Sequence, residues 1–329
     1  MAGVLISGAS GLIGAALASA FESRGDDVSR LVRRTSRSQR ELQWDPMRAV
    51  SPEIASGFDT VIHLSGESVA GRWTKAKKQQ IRDSRVVSTE NLSQALAQAE
   101  TLPKTFVCAS AIGYYGNRGD EILNEESPSG SGFLAKVSRE WEAATQLAAN
   151  AGIRVVNIRI GIVLSRDGGA LKQMLLPFRL GLGGKIGSGR QWWSWIHIDD
   201  LVAAVLHIAQ GANDGETPVS VDSNVSVERR APPPGLLSGP VNMVALNPVT
   251  NAEFTKALAT ILQRPAFFAV PAFAAQLAFG EFADEGLLSS AKVIPNKLAE
   301  GGFRFRYPEL GLALAELLRG GSAALSAPR

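Results

Sequence analysis

Short apolar runs alternate with longer amphipathic stretches along the first 160 residues of this chain. The apolar runs at 4–7, 28–32, 60–64, 105–109 and 154–158 are rich in Val, Ile and Leu and have the length of buried strands. Between them, the spacing of apolar positions predicts helices over 12–24, 74–99 and 133–150. Strands that alternate with helices in this way indicate an α/β fold with a doubly wound parallel sheet covered on both faces.

The second half of the chain has a different pattern. It predicts helices over 170–180, 199–210 and 251–263 and a strand over 241–246. We expect residues 1–165 to form the sheet domain, to which 196–246 returns. Residues 166–195 and 247–319 would form a smaller α+β lobe over the carboxyl edge of the sheet. The segment 211–239, rich in Gly, Pro, Ser and Asn, predicts a flexible surface loop, and 320–329 a frayed tail.

Composition narrows the function classes. Of 329 residues, 45% are hydrophobic and 20% charged, and the net charge of +3 is too small to predict a nucleic-acid partner. A single cysteine, Cys108, excludes a disulfide framework, and with only three widely separated histidines we expect no metal site. No signal peptide or bilayer-spanning segment is visible, so we expect a cytoplasmic protein without a membrane partner.

A glycine-rich turn stands between the first predicted strand and the first predicted helix. Such a turn brings the backbone against a pyrophosphate, which then rests on the unpaired N–H groups of the helix. A plain tight turn is the alternative interpretation. The residues predicted to hold a dinucleotide here are Gly8, Ser10, Gly11, Leu12, Ile13 and Gly14.

The end of the second predicted strand indicates which dinucleotide is preferred. A site for NAD(H) places Asp or Glu there, to accept hydrogen bonds from the ribose 2′-hydroxyl. This chain has Arg33 and Arg34 instead, and we expect no carboxylate near either guanidinium. Two guanidinium groups suit a 2′-phosphate, so the sequence predicts NADP(H) in preference to NAD(H). The alternative is a solvated basic turn.

Three motifs resemble those of the extended short-chain dehydrogenases/reductases: GASGLIG, HLSGE at 63–67 and SAIGYYG at 110–116. Longer segments, among them GGALKQMLLPFRLGLGGKIGSGRQWWSWIHIDDL and FRFRYPEL, are similar to an atypical, epimerase-labelled branch of that superfamily with a C-terminal domain of unknown function. The resemblance implies a Rossmann-type fold and an oxidoreductase or epimerase activity. It also implies that Leu64, Ser65, Gly66 and Ser110 contact the cofactor.

The proton relay typical of that superfamily is absent. It consists of Ser or Thr, a YxxxK pair on the following helix and an upstream Asn. Ser110 stands at the serine position, but Leu134 and Ser138 fall at the tyrosine and lysine positions, and Arg85 falls at the asparagine position. Tyr114 or Tyr115 could present a phenol to a substrate, with Arg85 assisting its ionisation. Packing of these rings beside the nicotinamide is the alternative.

Further candidates for substrate binding lie in two loops. Glu67, Arg72 and Trp73 follow the third strand, although a surface ion pair explains Glu67 and Arg72 equally well. Arg190 and Trp192 could bind a planar or phosphorylated ligand. Core packing between the lobes is the other interpretation of the RQWWSW segment.

Two functions therefore stay open at this stage. The first is an NADP(H)-dependent oxidoreductase or epimerase-like enzyme acting on a small polar carbonyl or hydroxyl compound. The second is a non-catalytic NADP(H)-binding protein that senses redox state or a metabolite. The expected partner is a small molecule. The sequence does not settle the oligomeric state, and a homodimer is kept open.

Overall fold

The computed structural model describes residues 2–210 and 237–319. Its strands are β1 (Gly3–Ser7), β2 (Asp27–Val32), β3 (Glu41–Gln43), β4 (Thr60–His63), β5 (Thr105–Ala111), β6 (Ile122–Leu123), β7 (Arg154–Ile160), β8 (Ile162–Leu164), β9 (Trp192–Trp193), β10 (Trp195–His197), β11 (Gly239–Met243), β12 (Val249–Thr250) and β13 (Lys292–Val293). Its α-helices are α1 (Leu12–Ser23), α2 (Pro52–Ala55), α3 (Lys75–Asp83), α4 (Val86–Ala97), α5 (Phe133–Ala143), α6 (Gln146–Asn150), α7 (Gly169–Arg179), α8 (Ile198–Gln210), α9 (Asn251–Leu262), α10 (Ala272–Phe279), α11 (Asn296–Glu300) and α12 (Leu310–Arg319).

Seven strands form the central sheet, in the order β11-β7-β5-β4-β1-β2-β3, and every pairing is parallel. The predicted doubly wound α/β fold is confirmed. Because the strands are parallel, their carboxyl ends meet at one edge of the sheet. The strand order reverses next to β1, and a crevice outside that point is where such sheets bind ligands.

The two faces of the sheet are both covered by helices. On one face, Val4 and Ile6 of β1 pack with Phe21 of α1 and Val205 of α8. On the other face, Leu5 packs with side chains of α4, including Leu92 and Leu96, and with others from α5 and α6. Neighbouring residues of a strand point to opposite faces, so a strand buried on both faces must be apolar throughout.

A third core belongs to the C-terminal part of the chain. It joins Phe178 of α7, Trp195 of β10, Phe254 of α9 and Leu314 of α12, all of them buried. The start of α9 is fixed by a capping box. The Thr250 hydroxyl accepts from the Glu253 N–H at 3.3 Å, and the Glu253 carboxylate accepts from the Thr250 N–H at 2.7 Å.

Two of the predicted helices are each divided in the structure. The predicted helix 74–99 is α3 followed by α4, and the predicted helix 133–150 is α5 followed by α6. At both breaks a hydroxyl bonds backward to the backbone. Ser84 Oγ donates to the Ile81 carbonyl at 3.1 Å, and Thr145 Oγ1 donates to the Glu142 carbonyl at 2.7 Å. Such bonds compete with the helical pattern, which apolar spacing alone does not reveal.

The last strand of the sheet starts and ends earlier than the sequence predicts. The prediction was 241–246, whereas β11 spans Gly239–Met243. Pro240 lies inside this strand, and proline is tolerated there because β11 is an edge strand. The sequence predicts a flexible loop over 211–239 and a frayed tail over 320–329. Residues 211–236 and 320–329 lie outside the described part of the chain. At the end of the predicted loop the prediction was wrong, because Gly239 is the first residue of β11. None of the helices in the described ranges is long and apolar enough to cross a bilayer.

Candidate functional site

The glycine-rich turn lies between β1 and α1, at the carboxyl edge of the sheet. Gly8 has φ +70°, and a side chain there would meet the Leu64 backbone at 2.9 Å. A Cβ on Gly14 would lie 2.8 Å from the Ala9 Cα, so only glycine lets α1 approach the turn this closely. No side chain caps the start of α1 at Gly11. The first N–H groups of α1 are therefore available to an anion at the sheet edge.

A buried histidine, His63, lies at the end of β4 beneath this crevice. Ser7 Oγ lies 2.6 Å from His63 Nδ1, and His63 Nε2 lies 3.2 Å from Ser88 Oγ. The Ser88 hydroxyl already donates to the Ser84 carbonyl at 2.7 Å. We therefore assign the ring proton to Nε2, which donates to Ser88 while Nδ1 accepts from Ser7. Burial lowers the pKa of His63 to about 3, so the imidazole is neutral and joins β1, β4 and α4.

The two arginines after β2 are not equivalent. Arg34 forms a bidentate ion pair with Glu41 of β3, at 2.8 and 2.5 Å. The hydrogen bonds from Arg34 and from the Arg37 N–H lower the pKa of Glu41 to about 2. The expectation that neither guanidinium has a carboxylate nearby was wrong, because β3 brings Glu41 beside β2. Arg33 is exposed and makes no hydrogen bond or ion pair with the residues that the structure describes, although its charge helps to lower the pKa of Glu67.

At the end of β5, Ser110 belongs to a buried ionic network. Its hydroxyl donates to Glu142 Oε1 at 2.7 Å. Glu142 also receives Arg159 of β7 in bidentate form, with Nε–Oε1 at 2.7 Å and Nη2–Oε2 at 2.8 Å. The Arg159 side chain is 3% exposed. The Ser110 hydroxyl therefore points into this network, with a carboxylate as its partner, and does not lie free in the crevice.

The two neighbouring tyrosines, in the short helical turn Ile112–Tyr115, have different surroundings. Tyr115 is fully buried and accepts from Arg159 Nη1 at 2.9 Å. Its hydroxyl lies 2.8 Å from both the Asn242 side-chain oxygen and the Asn124 carbonyl. Burial raises the pKa of Tyr115 to about 12. Tyr114 is half-buried, with the Arg159 guanidinium 3.5 Å from its ring centroid.

These surroundings distinguish the two tyrosines, for which the sequence left both a catalytic role and a packing role open. Tyr115 is a structural residue in this geometry, because its hydroxyl is enclosed and already paired. The hydroxyl of Tyr114 has no hydrogen-bond partner in the described part of the chain. Of the two phenols, only that of Tyr114 is therefore free to meet a ligand.

Arg85 does not supply the cation for these tyrosines. The break between α3 and α4 places its guanidinium under the loop that follows β4, where Nη1 donates to the Glu67 carbonyl at 2.9 Å. A Cβ on Gly66 would lie 3.2 Å from the Arg85 Cζ, and the guanidinium lies 5.1 Å from the Trp141 ring. Burial lowers the pKa of Arg85 to about 10. The tyrosines contact Arg159 instead, so the expected pairing with Arg85 was wrong.

The position at which the YxxxK relay has its tyrosine lies in the first turn of α5. Leu134 stands there and packs against Gly113, where an added Cβ would lie 3.2 Å from the leucine Cβ. The carboxylate of Glu285 accepts from the Phe133 and Leu134 N–H groups at 2.8 and 2.7 Å. Ser138, at the lysine position, is buried. A carboxylate from the C-terminal part of the chain thus caps α5 beside the candidate site.

The loop after β4 touches the C-terminal part of the chain through the predicted substrate residues. Glu67 pairs with Lys77 at 2.6 Å, not with Arg72. Arg72 donates to the Leu277 carbonyl at 3.1 Å. The Trp73 ring lies 5.0 Å from that of Phe133 and 5.8 Å from that of Phe282. Arg72 and Trp73 therefore join the two parts of the chain at one side of the crevice.

The tryptophan-rich segment divides between core and surface. Trp193 and Trp195 are buried in the third core. Trp192 is half-buried, and its indole N–H donates to the Asp120 carboxylate at 2.7 Å. The Lys292 Nζ lies over the Trp192 ring, 4.0 Å from its centroid. Arg190 is exposed. The structure therefore places Trp193 and Trp195 in the core, the alternative that the sequence left open, whereas the Trp192 ring stays partly accessible.

Sequence reasoning did not find Arg159, Glu142 or Asn242. A signal existed for Arg159, because it is a charged residue inside the apolar run RVVNIRIGIVL. Such a residue must either be paired or mark a wrong strand assignment. Its partner Glu142 is 17 residues away, on the other side of a helix break. Within the described ranges, no three His, Cys, Asp or Glu side chains cluster closely enough to hold a metal ion.

Comparisons with known proteins agree with this architecture. A family model described as the NAD dependent epimerase/dehydratase family matches residues 4–222, and a domain of unknown function (DUF1731) matches 270–317. An epimerase family protein of Mycobacterium bovis is 42% identical over 313 residues, with 94% of this chain and 96% of the relative covered. Epimerase family protein YfhF of Bacillus subtilis is 31% identical over 320 residues, with 96% and 97% covered.

A solved structure resembles the whole chain. The crystal structure of human epimerase family protein SDR39U1 (isoform 2) with NADPH superposes with a TM-score of 0.82 at 33% identity. The superposition covers 96% of this chain and 99% of the human one.

Proposed function

Since this chain belongs to the NAD dependent epimerase/dehydratase family, we propose that it binds NADP(H) and acts as an oxidoreductase or epimerase-like enzyme. Its substrate would be a small polar carbonyl or hydroxyl compound. The observation that carries this proposal is the uncapped start of α1, which stands behind a glycine turn at the point where the strand order reverses. Backbone N–H groups there suit a pyrophosphate.

The residues around the crevice fit a dinucleotide. The backbone from Gly8 to Gly14 would hold the pyrophosphate, because side chains at these two glycines would collide with the turn or with Leu64. The loop at Leu64–Gly66 would run beside the nicotinamide half, held from below by Arg85.

A preference for NADP(H) rests on Arg33. This residue directly follows β2 and has no ion-pair partner among the described residues, so its guanidinium could donate a charge-assisted hydrogen bond to a 2′-phosphate. Arg34 contributes less, because Glu41 already neutralises it. The human relative was crystallised with NADPH, so a related protein of this fold accommodates the 2′-phosphate.

For the chemistry, the bound reduced nicotinamide supplies a hydride. The chain must then give a proton to the carbonyl oxygen that becomes a hydroxyl, and we assign this transfer to the phenol of Tyr114. Arg159 lies against the Tyr114 ring and is fixed by Glu142, so the ring is held in one position. Ser110 supports this arrangement through Glu142 and does not itself touch the substrate.

A cofactor-binding sensor is the second candidate. It is favoured by the occupied hydroxyl groups of Ser110 and Tyr115 and by Leu134 at the usual tyrosine position. In that case the crevice would bind NADP(H) without transferring hydride.

Single-turnover oxidation of bound NADPH separates the two candidates. The panel of acceptors contains quinones, aldehydes and keto-sugars. An enzyme is expected to reduce at least one of them, and Tyr114→Phe should lower that rate by about tenfold or more without weakening NADPH binding. Tyr115→Phe is the matched control, whose main effect should be on stability. Tight NADPH binding with no acceptor reduced would favour the sensor, and absence of NADPH binding would refute both.

A further inference from the structure

Large exposed apolar side chains are concentrated in two segments of the C-terminal part of the chain. Fifteen such side chains occur in the described ranges, and nine of them lie within 176–182 and 267–279. Phe267 is 89% exposed and Leu180 is 64% exposed. Single exposed apolar residues are ordinary, but a contiguous group marks an interaction surface.

The second segment lies against residues 184–187, which follow shortly after the first segment. The Val270 N–H donates to the Lys185 carbonyl at 2.8 Å, and the Gly187 N–H donates to the Val270 carbonyl at 2.8 Å. The Gly184 backbone lies against the Phe268 carbonyl. The tips of both loops therefore share one surface, which we call the Phe–Leu face and define by Leu180, Leu182, Phe267 and Phe268.

A groove runs along this face, between α9 and residues 266–268. It has a volume of about 440 Å³. Apolar and small side chains such as Ala252 and Ala259 line it, and Lys185, Lys256 and Arg264 stand around it. None of these three cations has an ion-pair partner in the described part of the chain. Segments 169–190 and 254–280 together contain six Lys or Arg residues and no Asp or Glu.

We propose that the Phe–Leu face docks on the surface of a bilayer that contains anionic lipid. Phe267 and Phe268 would enter the interfacial region while Lys185 and Arg264 contact the lipid phosphates. A second copy of this chain fits the face poorly, because a two-fold contact would place cations against cations without an acidic partner. The proposal does not depend on the cofactor.

This proposal departs from the sequence-based expectation of no membrane partner. That expectation rested on the absence of an apolar stretch long enough to span a bilayer. Surface docking needs no such stretch, since a few exposed aromatic side chains and nearby cations suffice. The exposure of Phe267 and Phe268 comes from the way the chain folds and cannot be read from a hydropathy pattern.

Vesicle co-sedimentation of the full chain tests the proposal. We expect binding to phosphatidylcholine vesicles that carry about 30% phosphatidylglycerol, and much weaker binding to phosphatidylcholine alone. Raising the salt concentration should weaken the binding. Phe267→Ser with Phe268→Ser should lower the affinity by about tenfold or more. Lys185→Gln and Arg264→Gln should each lower it by about fivefold.

Leu312→Ser provides the matched control, because Leu312 is 60% exposed but lies on α12, outside the face. It should bind vesicles as the wild type does. A cysteine introduced by Phe267→Cys can also be labelled selectively with an environment-sensitive dye, since Cys108 is fully buried. The dye should report an apolar environment only with anionic vesicles.

Three results would overturn the proposal. The first is no binding to vesicles of either composition, which would leave the face to an acidic protein partner. The second is equal loss of binding in the Leu312→Ser control. The third is a wild-type dimer in solution that Phe267→Ser with Phe268→Ser dissociates.

Discussion

Arg159 and Glu142 form a bidentate ion pair at the carboxyl end of β7, and this pair contacts the Ser110 hydroxyl, the Tyr115 hydroxyl and the Tyr114 ring. Glu142 accepts from Ser110, and Arg159 donates to Tyr115 and stacks on Tyr114. The pair stands beneath the crevice and is almost fully enclosed. Its contribution to the site is therefore to fix side chains, not to react.

Arg159→Met should destabilise the protein strongly. Removing one partner leaves the Glu142 carboxylate enclosed without its counter-ion, which typically costs about 3–5 kcal/mol. Urea unfolding measures this loss. Arg40→Met is the matched control, because the Arg40 ion pair with Asp27 is more than half exposed on both sides. The control should cost about 0–1 kcal/mol. Similar losses for the two variants would contradict the role given to the buried pair.

The two arginines after β2 should differ in their effect on cofactor binding. Arg33→Ala should weaken NADPH binding by about tenfold or more, since a charge-assisted hydrogen bond contributes about 1.5–3 kcal/mol. NADH affinity should not change. Arg34→Ala should have a smaller effect, because Glu41 already occupies that guanidinium. Calorimetric titration of each variant with both cofactors measures these differences.

Glu41→Gln tests whether the ion pair with Glu41 keeps Arg34 from contributing to NADPH binding. The amide leaves Arg34 without a charged partner, so NADPH should bind more tightly than to the wild type. A larger loss in Arg34→Ala than in Arg33→Ala, or equal wild-type affinity for NADPH and NADH, would show that the 2′-phosphate does not lie at Arg33.

The outcome at these sites shows what local sequence can and cannot predict. Gly8 and Gly14 could be identified because a turn between a strand and a helix depends on a few consecutive residues. Glu41 and Glu285 could not, since sheet order brings Glu41 to Arg34 and chain folding brings Glu285 to Phe133 across 152 residues. The fold class needs only the periodicity of apolar residues, whereas the partners of each charged group need the tertiary structure.

Gly14→Ala should impair both stability and cofactor binding. The added Cβ would lie 2.8 Å from the Ala9 Cα, so α1 must move away from the turn that holds the phosphates. Overpacking of this kind typically costs about 1–3 kcal/mol. Gly311→Ala in α12 is the matched control, since no heavy atom lies within 4 Å of the added Cβ. It should leave the stability unchanged or raise it by up to about 0.5 kcal/mol, because Gly311 lies in the first turn of α12, where the cost of glycine is smaller than in a helix interior. Thermal unfolding measures the stability of both variants, and titration with NADPH measures their affinity. Equal stability and equal affinity in the two variants would contradict the role given to Gly14.

His63 should make the protein less stable as the pH falls. The unfolded imidazole takes up a proton near its ordinary pKa of about 6.5, whereas burial lowers the pKa in the folded chain to about 3. Between these values unfolding takes up a proton, so the free energy of unfolding decreases as the pH falls, by about 2 kcal/mol at pH 5.

His63→Gln should remove this part of the pH dependence. The variant itself loses stability because the bonds to Ser7 and Ser88 change, so the informative quantity is the slope and not the offset. From about pH 7 to 8 the imidazole is neutral in both the folded and the unfolded state. The difference in unfolding free energy between wild type and variant should therefore be constant there and shrink as the pH falls below about 6.5. Urea unfolding at several pH values measures it, and parallel pH profiles down to about pH 5 would show that His63 is protonated in the folded chain.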